Sequence, residues 1–128
     1  LLMISSFAVT SVDPVTDVRT YTPLTSVSTW IDLHTTHTVW QVGLFGGYTQ
    51  NLGAGKTIDP TMVMGSRGDI DHVWRISPRI LYNIKKFRVA FEIEYTSAAF
   101  GTIGTDGKIQ NSSSVANWRN LVGVYYFF

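Results

Sequence analysis

At 128 residues with a formal net charge of +1, the chain is one structural unit and lacks the basic excess of an electrostatic nucleic-acid binder. Charged residues make up 15% against a usual ~25%, yet no apolar run approaches the ~18 residues of a membrane helix. With no cysteine, a disulfide framework and a thiolate metal site are both excluded.

Six strands are expected, in chain order about residues 1–11, 20–34, 37–50, 72–84, 86–100 and 114–128. Leu1-Leu2-Met3-Ile4 has no initiator methionine and no basic flank, so it reads as the middle of a strand rather than a signal peptide. The chain is accordingly expected to be the C-terminal part of something longer, or a processed or truncated product. In the second strand Thr29, Ile31 and Leu33 share one face, and Trp30, Asp32 and His34 the other. Tight turns are expected at residues 34–37 and 83–86. Longer polar connections are expected at 11–19, 51–71 and 101–113, the last two rich in Gly, Asp, Ser and Asn.

The remaining four strands share one design. Reading every second residue gives Trp40, Val42, Leu44, Gly46, Tyr48, then Trp74, Ile76, Pro78, Ile80, Tyr82. The pattern returns as Phe87, Val89, Phe91, Ile93, Tyr95, and finally as Trp118, Asn120, Val122, Val124, Tyr126 and Phe128. Residues two apart in a strand share a face. Each set therefore has a largely aliphatic middle, with an aromatic at the start and a tyrosine eight positions later. Every charge within these spans (Arg75, Arg79, Arg88, Glu92, Glu94 and Arg119) falls on the opposite face.

Alternation alone also suits a soluble half-buried sheet; geometry separates the two cases. Eight residues at ~3.4 Å span ~27 Å, or ~20 Å along a membrane normal after a tilt near 40–45°. That sets the aromatics near the edges of an apolar band about 25 Å tall, where interfacial girdles lie. The expected fold is therefore all-β: an up-and-down antiparallel transmembrane β-barrel, with residues 1–128 as one unit forming the last six or so strands of a larger barrel. Six strands cannot close alone, because open edges are not tolerated in lipid and the smallest single-chain barrel has about 8 strands. Pro78 removes a ladder donor in mid-strand, for which a bulge would be one accommodation.

The ending Tyr125-Tyr126-Phe127-Phe128 resembles the C-terminal signal of Gram-negative outer-membrane β-barrels, read by the barrel-assembly machinery. The runs Trp40 to Gly53 and Arg88 to Gly101 resemble strands of porin-like proteins of the Bacteroidetes type. That resemblance implies a bacterial outer-membrane location, a lipid surround and passive diffusion of small hydrophilic solutes. Such porins often assemble as homotrimers.

Arg75, Arg79, Arg88, Glu92, Glu94 and Arg119 are the candidate lumen-lining residues, whose charges would set a transverse field across a water-filled pore. They would equally form cross-strand ion pairs. Other motifs carry less. Gly53-Ala54-Gly55-Lys56-Thr57 lacks the leading glycine of a phosphate loop, since Gln50 stands at that position. His34 and His37 flank a turn near Asp32 with no ligand set from a second segment. Glu92 and Glu94 lie ~7 Å apart on one strand, spacing that suits a charged wall better than a glycosidase pair. No catalysis, cofactor, metal or nucleic-acid partner is expected. Two alternatives remain: a non-conducting barrel acting as anchor or adhesin through the loops at 51–71 and 101–113, and a soluble calycin-like ligand binder whose aromatic faces point inward.

Overall fold

The computed structural model describes residues 5–128. The expected first strand begins at residues 1–4, which lie outside that range. Seven strands form one antiparallel sheet: β1 (Ser5–Val12), β2 (Arg19–His34), β3 (Trp40–Ala54), β4 (Val63–Ser66), β5 (Ile70–Ile84), β6 (Phe87–Ile103) and β7 (Ile109–Tyr126). Their order is β4-β1-β2-β3-β5-β6-β7. Six of them follow one another as an up-and-down meander, and the whole curls into an open half-barrel.

Two expectations are corrected. The connection at 51–71 is not loop throughout: β3 continues to Ala54, and β4 runs back to the far side of the sheet to pair with β1, Ser5 opposite Ser66 and Ala8 opposite Val63. Four residues, Val-Met-Gly-Ser, are too few to display an alternation. The connection at 101–113 shrinks likewise, because β6 and β7 stay paired as far as Ile103 opposite Ile109. Only a turn remains there, closed by hydrogen bonds from the Gly104 N–H to the Lys108 carbonyl and from the Gly107 N–H to the Gly104 carbonyl. Gly107 takes a φ of 73° in that turn, and a Cβ on it would sit 2.7 Å from Leu24 Cδ2 and from the Ala54 nitrogen. It is glycine for both reasons.

Pro78 is accommodated without a bulge. Tyr95 faces Ile76 and Glu92 faces Arg79 in one unbroken register, while the pairs at Ser77 and Pro78 between them drop out of the ladder. The bulges occur elsewhere, at Val9/Ser11, Thr25/Ser26, Ile70/His72 and Phe100/Thr102, all toward the long-connection end. Bulges increase local twist and bend the strand, so the curl is strongest there. A chain-length argument agrees. β4 and β5 are four strand spacings apart in the order, ~19 Å if the sheet were flat. The links from Ser66 to Ile70 reach at most about 14 Å, so the sheet must roll to let the chain cross. Arg67, with a φ of 62°, makes the corner.

The buried apolar side chains collect at this end. Ala8, Leu24 and Ile58 pack with Ala54, Val63 and Ile103. Ile70 and Val73 pack with Ala98 and Phe100. Segment 55–62 is tied down by hydrogen bonds from the Ile58 N–H to Thr105, from the Asp59 N–H to Val9, and from the Val9 N–H to Met62. The β3–β5 connection is thus a strap across the concave side, packed on its own small core.

Candidate functional site

The aromatic face is the exposed one. Trp40, Val42 and Leu44 of β3, Trp74, Ile76 and Ile80 of β5, and Phe87, Val89 and Phe91 of β6 all lie open, as do Trp118, Val122, Val124 and Tyr126 of β7. Val122 is 72% exposed and Trp118 67%. On β2, Ile31 pairs with Gly46 and Leu33 with Leu44, so these side chains join the same face.

The rings gather in two belts. Near the short turns, Trp40 stacks on Tyr82 at 4.2 Å, and Phe87 meets Tyr126 at 4.8 Å, with Phe128 a further 5.1 Å away. At the other end Tyr95 touches Trp74 at 5.0 Å and Trp118 at 4.6 Å, with Tyr48 paired across from Trp74. Both belts step by the same amount between β5 and β6. Tyr82 faces Val89 while its belt continues at Phe87, and Trp74 faces Ser97 while its belt continues at Tyr95. A shared step of this kind is the stagger expected of strands tilted against a common axis.

The opposite face is polar and more enclosed, with Thr49 and Ser77 each at 1% exposure and Glu94 at 8%. All six candidate charges lie on it. The structure joins three of them directly: Glu94 Oε2 accepts from Arg75 at 3.2 Å and from Arg119 at 2.9 Å. Arg75 Nε also donates to Thr96 Oγ1 at 3.0 Å. β5, β6 and β7 each supply one member because Arg75 pairs with Thr96 and Glu94 with Arg119 in register. Glu92 accepts a hydrogen bond from Ser77 Oγ.

Arg79 reaches further. Its neighbour on β3 is Gly43, and a Cβ there would lie 2.7 Å from Arg79 Nε and 3.1 Å from its Cγ. The missing side chain lets the arginine lie flat across β3 to meet Asp32 of β2 at 2.5 Å. Arg88 stands apart from the carboxylates: its Nε donates to Asn83 Oδ1 at 2.7 Å and its guanidinium lies 5.5 Å from the Phe127 ring centroid. Among the described residues no carboxylate is within ion-pair distance of Arg88. The wall therefore carries one carboxylate shared by two arginines, one paired with a single arginine, one bound to a hydroxyl, and a cationic excess. Guanidinium groups keep their charge at any physiological pH.

Sequence reasoning placed Asp32 on this face without assigning it to Arg79, and gave Gly43, Ser77 and Thr96 no role. A glycine directly opposite an arginine on a polar face was the available signal for Gly43. The weaker motifs resolve locally. His37 Nδ1 accepts the backbone N–H groups of Val39 and Trp40 and caps the β2–β3 turn. In the Gly53-Ala54-Gly55-Lys56-Thr57 stretch, the N–H of Gly53 is taken by Asn51 Oδ1 and that of Ala54 by the Asp106 carbonyl. Those donors are spent inside the fold and are not offered to a phosphate.

Two exposed turns show a different electrostatics. The N–H groups of Val15 and Thr16 donate to Asp13, holding its carboxyl below its ordinary value. Asp59 is lowered in the same direction by the Thr61 hydroxyl and N–H. Comparison of the chain with protein-family models, with curated proteins and with solved structures finds no match.

Proposed function

We propose that this chain is part of the wall of a porin-like bacterial outer-membrane β-barrel that passes small hydrophilic solutes by diffusion. One observation carries the reading: two aromatic belts flank an exposed apolar band, while every charge of those strands sits on the other face. In water, exposed aliphatic rows of this extent are an aggregation liability. In lipid they are the surface a barrel needs. The Arg/Glu wall would then border water, where fixed guanidinium and carboxylate groups order solvent and favour polar solutes.

Under this reading β7 is joined by further strands, because its free edge cannot remain unpaired in hydrocarbon. They would come from the rest of a longer barrel, with the C-terminal aromatics read by the barrel-assembly machinery and a homotrimer as the natural assembly. The test is reconstitution into a planar bilayer. Discrete conductance steps support the channel, and an intact, inserted barrel without steps overturns it. A second reading has a specific observation in its favour. The strap and its core fill the concave side at one end, as in a closed barrel serving as an anchor. That barrel would insert and give no steps.

A further inference from the structure

We infer that the polar face holds a binding site for small organic monoanions with an apolar or aromatic body, built around Arg88 at the short-turn end. The inference rests on the channel reading and names a solute class for it. A hollow of about 290 Å³ opens there, lined by Arg79, Leu81, Arg88, Ala90, Phe91, Glu92, Tyr125 and Phe127. Its volume lies just below the usual range for ligand pockets, about 300–1,000 Å³, and so suits only a small solute.

The chemistry of the lining is divided. Leu81 and Ala90 form an apolar floor, extended by the Tyr125 ring. That ring lies over Gly123, where a Cβ would stand 2.9 Å from both Tyr125 Cε2 and the hydroxyl. Phe127 supplies a second ring, with the Arg88 guanidinium against it. The other charged groups at the hollow are already engaged: Arg79 by Asp32, and Glu92 by Ser77. Arg88 has one donor on Asn83 and no carboxylate partner among the described residues. Exposed Lys85 and Lys86 in the adjoining turn add positive potential at the same mouth. A guanidinium fork held on an aromatic ring suits a carboxylate in bidentate contact. The rings and floor suit the hydrocarbon attached to it. A fully hydrated inorganic anion would use the first part alone.

Isothermal titration of the complete barrel that contains this chain, in detergent micelles, tests this with benzoate, and with benzyl alcohol and acetate as probes lacking the charge or the ring. Saturable benzoate binding is expected, at least tenfold tighter than either control. Arg88→Gln should weaken benzoate binding tenfold or more, and Arg88→Lys should restore part of the loss. Phe127→Leu, which leaves the charge in place, should weaken benzoate but not acetate. Benzyl alcohol binding as tightly as benzoate would overturn the inference, as would unchanged affinity in a folded Arg88→Gln chain or in Phe127→Leu. Calorimetry reads binding without conduction. A chain that conducts yet binds no benzoate loses this site and keeps the channel; one that binds and never conducts does the reverse.

Discussion

Val122 offers the sharpest test of which medium the aromatic face meets. It pairs with Phe91, and each stands four residues from the belt aromatics of its own strand: Tyr126 and Trp118 on β7, Phe87 and Tyr95 on β6. Val122 is therefore midway between the belts. Arginine at a bilayer midplane costs about 2–4 kcal/mol and close to 0–1 near an interface. Val122→Arg should thus lower the folding equilibrium in lipid roughly 30- to 700-fold, at about 1.4 kcal/mol per tenfold. Ala116, on the same face but beyond Trp118, lies outside the band. Ala116→Arg should cost about 0–1 kcal/mol. In water the side chain of Val122 is already 72% exposed, and the same substitution would fall within about 0.5 kcal/mol of neutral. The assay is a urea titration of the complete barrel that contains this chain, folded into phosphatidylcholine vesicles and followed by tryptophan fluorescence. Equal midpoints for the two variants would refute the lipid-facing assignment, because depth is what the argument requires to matter.

Glu94→Gln leaves the Arg75 and Arg119 guanidinium groups facing each other without their shared counter-ion. Breaking a buried pair costs about 3–5 kcal/mol, but the Arg119 side chain is half exposed and screened. We therefore expect a loss of about 1–2 kcal/mol in the urea titration, with the reversal potential of a reconstituted channel shifting toward anions. Gly43→Val pushes Arg79 off β3, so it should break the Asp32 pair. A double-mutant cycle with Asp32→Asn, by the same titration, should give a coupling near zero in the Gly43→Val background against about 0.5–1 kcal/mol in the parent. For Asp13 the folded carboxyl is depressed below the ordinary 3.8. Its contribution is whole above that value and is lost as pH falls through the folded one. Amide exchange at Val15 and Thr16 should then accelerate only in that acid window, and protection lost above pH 5 would contradict it.

The parts of this fold legible in the sequence are those in which two faces of a strand meet different surroundings. The two faces of β3, β5, β6 and β7 were legible because a period of two survives wherever the register is unbroken, whereas the pairing of Trp40 with Tyr82 and of Phe87 with Tyr126 needed the structure. The bulges hid the rest. Asn51 and Ala54 both point to the concave side although three positions separate them, since the bulge at Thr25/Ser26 resets the parity of β3 against β2. Strand ends beyond such resets read as loop. β4 was invisible for a different reason: its pairing to β1 is a contact between distant segments, and four residues hold no period. The charges were legible as a set but not as partners. Arg79 with Asp32 spans an intervening strand, so the pairing needs the register and the bare backbone at Gly43.

β4 also gives the sheet a direction of growth. It occupies the ladder groups of β1 from Ser5 to Ala8, whereas β7, eighteen residues long, has no strand beyond it among the described residues. Under the barrel reading, a strand added at the strapped end would find its template on the β7 side. Lateral accretion would then be polar, like addition to one end of a filament, and the closing seam would have to accommodate a short tenant already seated on the opposite margin.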